Sequence, residues 1–196
     1  MRDEARLAAA AQDFIGRFGA PDLVIANAGI SAGTLGEAIE DIAKLRSLLE
    51  VNVIGMAASL AAFAPAMRRA GRGTLACIAS VASFRGLAGN GAYSASKAAA
   101  RTWTESLRTE LQGSGVSVVC ICPGYVDTPL TRVNRFRMPF LLSADEAAPR
   151  IARAIAARRR VAVIPWQMAL VTVILRAMPD WLYDSFASRA PRKPRG

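Results

Sequence analysis

The sequence predicts an α/β fold, a parallel sheet carrying helices on both of its faces. Three observations point there. Short runs such as DLVIA (22–26), TLACIA (74–79) and VSVVCIC (116–122) are apolar almost throughout, without the alternation of a strand that shows one face to water. Between them lie longer stretches with the apolar spacing of helices, and glycine-rich turns mark the junctions. At 196 residues the chain suits one domain with its own core.

Arg6 to Phe18 is alanine-rich and predicts a helix. Asp22 to Ala26 predicts a buried strand, closed by the turn Asn27-Ala28-Gly29. Glu37 to Arg69 predicts a long helix, bent or broken near Val51-Asn52 and again at Pro65, whose ring removes a backbone donor. Gly71-Arg72-Gly73 turns the chain into the strand Thr74 to Ala79. A loop through Gly86, Gly89 and Gly91 opens a helix over Ala92 to Leu111, which Gly113 and Gly115 end before the strand Val116 to Cys122. Ser143-Ala-Asp-Glu146 has the form of a capping box for another helix, with Pro149 awkward in its second turn. Val161 to Ile164 is the last strand, Trp166 to Phe186 follows as an apolar helical region, and residues 190–196 read as a frayed, disordered basic tail.

Composition removes several kinds of chemistry. The chain has no histidine, which excludes Ser-His-Asp and Cys-His hydrolases and HExxH metalloenzymes. Cys77, Cys120 and Cys122 sit in apolar, strand-like runs without zinc spacing. They read as buried core thiols in a reducing cytoplasm, and no metal site is expected. Residues 1–11 open with mixed charge rather than as a secretory leader, and no uninterrupted apolar run reaches the roughly 18–20 residues of a membrane span. A net charge of +10 raises nucleic acid as a partner, but its distribution argues against one. From Arg150 on there are ten Arg or Lys against two Asp, and no aromatics interleave with the tail to stack on bases. A solvated basic end, in weak contact with an anionic membrane surface, is the preferred reading.

Without histidine, acid–base chemistry near neutral pH falls to a carboxylate, or to a Tyr, Lys or Cys with a shifted pKa. Tyr93-Ser-Ala-Ser-Lys97 supplies such a pair. Tyr93 and Lys97 stand at i and i+4 on one helical face, and an ammonium beside a phenol lowers its pKa from about 10 toward the working range. Ser80 ends a strand, where a parallel sheet places its ligands and a hydroxyl can bond a substrate carbonyl. On its own, Tyr-x-x-x-Lys is more often an ordinary surface pair. Ser94 and Ser96 read as helix-start or packing residues, and Trp103, Trp166 and Trp181 as core or pocket wall.

Ser80, Tyr93 and Lys97, with twelve residues between the serine and the tyrosine, resemble the catalytic signature of the short-chain dehydrogenase/reductase family. Asn27-Ala28-Gly29 is similar to that family's turn after a strand. Val51-Asn52-Val53-Ile54-Gly55 resembles the segment bearing its fourth catalytic residue. Pro123-Gly124-Tyr125-Val126-Asp127-Thr128 resembles the motif whose threonine contacts the nicotinamide carboxamide. The resemblance runs in order to about Pro165. It implies an oxidoreductase that uses NADP or NAD to interconvert a secondary alcohol and a ketone or aldehyde. Tyr93 would be the acid/base, Lys97 would lower its pKa and hold the ribose hydroxyls, Ser80 would orient the carbonyl, and Asn52 would hold a water of a proton relay. Asn27, Ala28, Gly29, Tyr93, Lys97, Pro123, Gly124, Val126 and Thr128 would line the cofactor. A homodimer or homotetramer through the two long helices, and a bulky, apolar alcohol or carbonyl substrate, are also implied.

Members of that family begin with a strand, a TGxxxGxG loop and a helix that cradle the pyrophosphate, and none of the fifteen glycines here makes that pattern. The resemblance therefore implies a partial Rossmann-like doubly wound sheet in three α/β/α layers, missing its first three strands, as a single truncated domain over residues 1–196. Asp22 to Ala26 would then be a bare apolar edge. The 196 residues alone would bind neither NAD nor NADP measurably. The alternative is a non-catalytic binding or scaffold protein that keeps the family's residues.

Overall fold

The computed structural model describes residues 2–195 and holds four parallel strands in one sheet. In order across the sheet they are β1 (Leu23–Ala26), β2 (Gly73–Ile78), β3 (Val116–Pro123) and β4 (Val161–Ile164). Ala26 pairs with Cys77, Ile78 with Ile121 and Pro123 with Ile164, so the C-terminal ends of all four strands reach one edge. This is a parallel α/β/α, Rossmann-like sheet, as the apolar runs require.

The inner strands bury both faces, which is why they lack alternation. On one face Leu75, Cys77, Cys120 and Cys122 meet the helices α3 (Met56–Ala61), α4 (Ala64–Ala70) and α5 (Gly91–Glu110) through Met56, Leu60, Met67, Ala100 and Leu107. On the other, Ala76, Val119 and Ile121 meet α7 (Ala144–Ala156) through Ala147 and Ile155. Each large side chain sealed in this way contributes about 1.5–3 kcal/mol relative to exposure. All three cysteines are free and buried, as read from their surroundings.

β1 is not the doubly covered strand that its apolar run alone suggests, but the bare apolar edge expected of a sheet without its first three strands. Val24 and Ala26 join the first core layer, but Leu23 and Ile25 remain 44% and 46% exposed. β1 is an apolar edge strand; α1 (Glu4–Phe18) packs against α3, and its Phe14 makes an edge contact with Phe63 in the break after α3. Asp3 starts α1 by accepting the Arg6 amide at 2.9 Å.

The long second helix is bent at both predicted places. A 3-10 turn at Ile39–Asp41 leads into α2 (Ile42–Leu49), and the helix widens to a π-helical stretch at Glu50–Gly55 around Asn52. It breaks after α3, and Pro65 falls in the first turn of α4, where its missing donor costs nothing. By length and composition alone Ile39–Ala70 could cross a membrane, with a mean hydropathy of 1.6 in its most apolar window. Here it lies against β1, β2 and α5 as a sheet-covering helix.

Ser143 and Glu146 form the expected capping box, with the Glu146 amide 3.1 Å from Ser143 Oγ and the Ser143 amide 2.9 Å from Glu146 Oε2. Pro149 is accommodated inside α7 on its exposed side. A short α6 (Pro129–Arg132) was not foreseen. The apolar region after β4 splits into α8 (Trp166–Ala177) and α9 (Asp180–Ala187) at Met178-Pro179.

The C-terminal end, expected as a frayed basic tail over 190–196, makes specific contacts in the structure. As far as Arg195 it lies back across the C-terminal edge of the sheet; Gly196 is outside the described residues. Arg195 pairs with Glu40 at 2.9 Å and with the buried Asp41 at 3.0 Å, and the Lys193 amine donates to Ser31 Oγ at 2.9 Å. Gly33 lets this happen, because a Cβ there would overlap the Lys193 and Pro194 carbonyls.

Candidate active site

Ser80 follows directly from the end of β2. Its backbone is extended (φ −169°), and its Oγ accepts the Ala82 amide at 3.2 Å, which starts a 3-10 turn at Val81–Ser83. Tyr93 lies in the first turn of α5. That turn is pinned by the Ala92 amide on Thr34 Oγ1 at 3.1 Å and the Leu87 amide on Ser94 Oγ at 3.3 Å. Lys97 comes one turn later, 5% exposed, with its amine donating to the Ile78 carbonyl at 2.9 Å and lying 5.9 Å from the Tyr93 ring centre.

Asn52 is 1% exposed and fully engaged. Its Nδ2 donates to the Ile30 carbonyl and to Ser96 Oγ, both at 2.9 Å, and its Oδ1 accepts the Ile30 amide at 2.8 Å. Ser96 in turn donates to the Tyr93 carbonyl at 2.8 Å. The π-helical stretch, the loop after β1 and the first turn of α5 are thereby fastened together. A Cβ on Gly29 would sit 3.3 Å from both Asn52 Oδ1 and Lys97 Nζ, so glycine sets how closely this loop approaches.

Burial opposes the lowering expected of Tyr93. Desolvation pushes the Tyr93 pKa above its ordinary value, and the Ser80 hydroxyl beside it only partly offsets this. Desolvation also lowers the Lys97 pKa. The Lys97 amine is turned to the Ile78 carbonyl rather than to the phenol.

Above these groups lies a cavity of about 500 Å³, with Ser80 and Tyr93 in its wall. Leu130, Phe136, Leu175, Met178 and Phe186 make most of it apolar. Ser80, just past the end of β2, and Tyr93, in the first turn of α5, thus open onto one apolar pocket at the C-terminal edge of the parallel sheet, with Lys97 one turn behind the tyrosine.

The family called short chain dehydrogenase matches residues 1–137. The chain belongs to that family. It is 42% identical over 171 residues to an uncharacterized oxidoreductase of Myxococcus xanthus, covering 87% of this chain and 67% of that protein. It is 35% identical over 150 residues to the ketoacyl reductase HetN of a Nostoc species, covering 74% of this chain and 50% of the relative. The chain thus spans between half and two thirds of these relatives' lengths. A short chain dehydrogenase from Burkholderia cenocepacia, solved in complex with NADP, superposes with a TM-score of 0.81 at 26% identity, covering 97% of this chain and 76% of that one. The family is one of NAD(P)-binding oxidoreductases.

The residues present fit the nicotinamide end of such a cofactor. Lys97 spends one donor on Ile78, leaving two for ribose hydroxyls, and Asn27, Ala28 and Gly29 are exposed at the end of β1. Gly124 and Tyr125 line the cavity, with the Gly124 amide tied to the Ile164 carbonyl at 2.7 Å. Pro123 ends β3, and Val126 forms a bridge with Leu142. Thr128 opens α6 in a capping box with Thr131, its amide donating to Thr131 Oγ1 at 3.1 Å, and its hydroxyl also lies 3.4 Å from the Val126 carbonyl.

Sequence reasoning missed Ser96, taken for a packing residue, and the C-terminal residues Tyr183 and Lys193. Tyr183 donates to the Gly86 carbonyl and lies under the Arg85 guanidinium, closing one side of the cavity. Nothing local to those positions signals a partner nearly a hundred residues or more away.

Proposed function

We propose that this chain is the catalytic and C-terminal part of an NAD(P)-dependent oxidoreductase that interconverts a secondary alcohol and a ketone or aldehyde. The observation that carries the reading is the convergence of Ser80 and Tyr93 on one apolar cavity, with Lys97 behind the tyrosine on the same helix. When bound, the nicotinamide supplies a hydride to the carbonyl carbon or accepts one from the carbinol carbon. Tyr93 donates its phenolic proton to the carbonyl oxygen, and takes it back in the reverse direction. Ser80 holds that oxygen by a hydrogen bond. Lys97 binds the ribose hydroxyls, and a nearby cationic amine draws the phenol's pKa down as the proton leaves. Asn52 keeps the loop after β1 and the first turn of α5 in register, and a water held beside it relays the proton.

The exposed Leu23 and Ile25 support a sheet that continues past β1, with the first three strands of a doubly wound fold on that edge. The small apolar residues of α3 and α5 support pairing of subunits as a dimer or tetramer, and three free thiols suit a reducing cytoplasm. In the longest chain its gene encodes, Tyr93→Phe should lower NADPH-dependent ketone turnover roughly 10²–10⁴-fold while the thermal melt stays unchanged. Near-normal turnover by that variant would overturn the assignment.

A further inference from the structure

The cavity over Ser80 and Tyr93 is apolar, yet its two charged wall residues, Arg137 and Lys193, are both cations. Among the described residues, no aspartate or glutamate lines it. Arg137 is exposed at the cavity mouth, whereas Lys193 is half-buried.

Lys193 is held in place by the rest of the tail. Arg195, two residues on, takes the carboxylates of Glu40 and Asp41, and Asp41 is already fixed by the Leu35 amide at 2.8 Å. Arg192 lies against Gly89, where a Cβ would come within 2.6 Å of the arginine side chain. With neighbours anchored on both sides, the Lys193 amine is directed inward, donating to Ser31 Oγ at 2.9 Å and to the Leu130 carbonyl at 3.2 Å. Both partners are neutral. Among the described residues no carboxylate lies within ion-pair distance of it, although Arg195 has two. Burial pushes the amine's pKa below its ordinary value, the expected result when a cation is desolvated without a counter-charge. An anion brought into the cavity would offset that desolvation and take a charge-assisted hydrogen bond, a stronger bond than either neutral one.

We propose that Lys193 is a specificity-determining residue, and that the substrate is a carbonyl compound with an apolar body and an anionic end group that Lys193 binds, with Arg137 attracting it at the mouth. This rests on the reading of the cavity as the substrate site of an oxidoreductase. The apolar walls take the body, Ser80 and Tyr93 take the carbonyl, and the C-terminal tail supplies the charge.

The test is calorimetric titration of the 196-residue chain with an oxodecanoate, its keto group at the penultimate carbon, and with the methyl ester of the same compound. The native chain should bind the acid at least about tenfold more tightly than the ester, the gain expected of one charge-assisted bond. Lys193→Met should bring the two within about twofold by weakening the acid alone, and Lys193→Arg should restore the preference. Equal affinity for acid and ester in the native chain, binding of neither, or a preference that survives Lys193→Met would each overturn the proposal. Turnover in the longest gene product separates this from the reading beneath it. Reduction of acid and ester alike, abolished by Tyr93→Phe, removes the anion site and leaves the oxidoreductase standing. Lys193-dependent acid binding with no reduction of any carbonyl keeps the anion site and removes the oxidoreductase.

Discussion

Asn52 is the residue whose removal the structure prices most directly. In Asn52→Ala three hydrogen bonds disappear at once: two from Nδ2, to the Ile30 carbonyl and Ser96 Oγ, and one into Oδ1 from the Ile30 amide. Each is worth about 1 kcal/mol net, and buried groups left without partners add more, so the expected loss is about 3 kcal/mol. Ile30 is only partly buried, and water there keeps the figure from rising further. For a chain of this size each kcal/mol moves the melting temperature by about 2–4 °C, which predicts a fall of about 6–12 °C. Ser96→Ala should cost about 1–2 kcal/mol, and since it shares one bond with Asn52, the double variant should lose about 1 kcal/mol less than the sum. Thermal melts followed by circular dichroism read all three. A fall of under about 2 °C in Asn52→Ala, or strict additivity with Ser96→Ala, would show that this side chain does not fasten the three segments.

Two further expectations concern stability. Gly113 and Gly115 both have left-handed backbones, at φ 80° and 79°, but a Cβ on Gly115 would overlap the Gly71 carbonyl while one on Gly113 meets nothing within 4 Å. Gly113→Ala should therefore cost about 1–2 kcal/mol and Gly115→Ala about 3–5 in urea denaturation, and equal losses would contradict the packing. The Leu35 amide and the Arg195 guanidinium lower the Asp41 pKa from 3.8 to about 2. Because the folded value is the depressed one, this stabilisation is complete above about pH 4 and is lost as pH falls toward 2; Asp41→Asn should flatten that part of the acid limb, and an unchanged limb would count against the anchor.

What was legible in the sequence was local. The pairing of Tyr93 with Lys97 needs only the helical repeat, and the serine at the end of β2 needs only a strand and a stop. The bend at Asn52 and the break at Pro65 were readable for the same reason, since each is decided within one or two turns. Two things depended on burial by distant parts. The opposing effect of burial on Tyr93 could not be read, because proximity to an ammonium follows from spacing, but desolvation by β2, α5 and the cavity walls does not. β1 looked like its neighbours as a string of apolar letters; its bare edge was readable only through the family pattern, and burial shows which residues it leaves open, Leu23 and Ile25.

The basic C-terminal end shows how charge misleads when it is counted without coordinates. Ten cations against two acids from Arg150 on suggest a surface waiting for an anionic partner. Two of those cations are already engaged within the fold, Arg195 on Glu40 and Asp41, and Lys193 on Ser31 and Leu130. They differ in kind. Arg195 is 41% exposed, so salt screens its pairs, and they act mainly to give the tail a direction. The amine of Lys193 is half-buried with neutral partners, where screening is weak and an incoming anion has most to gain. One arginine spends its charge on the protein's own carboxylates, and thereby leaves a lysine two residues earlier facing the cavity with its charge unspent.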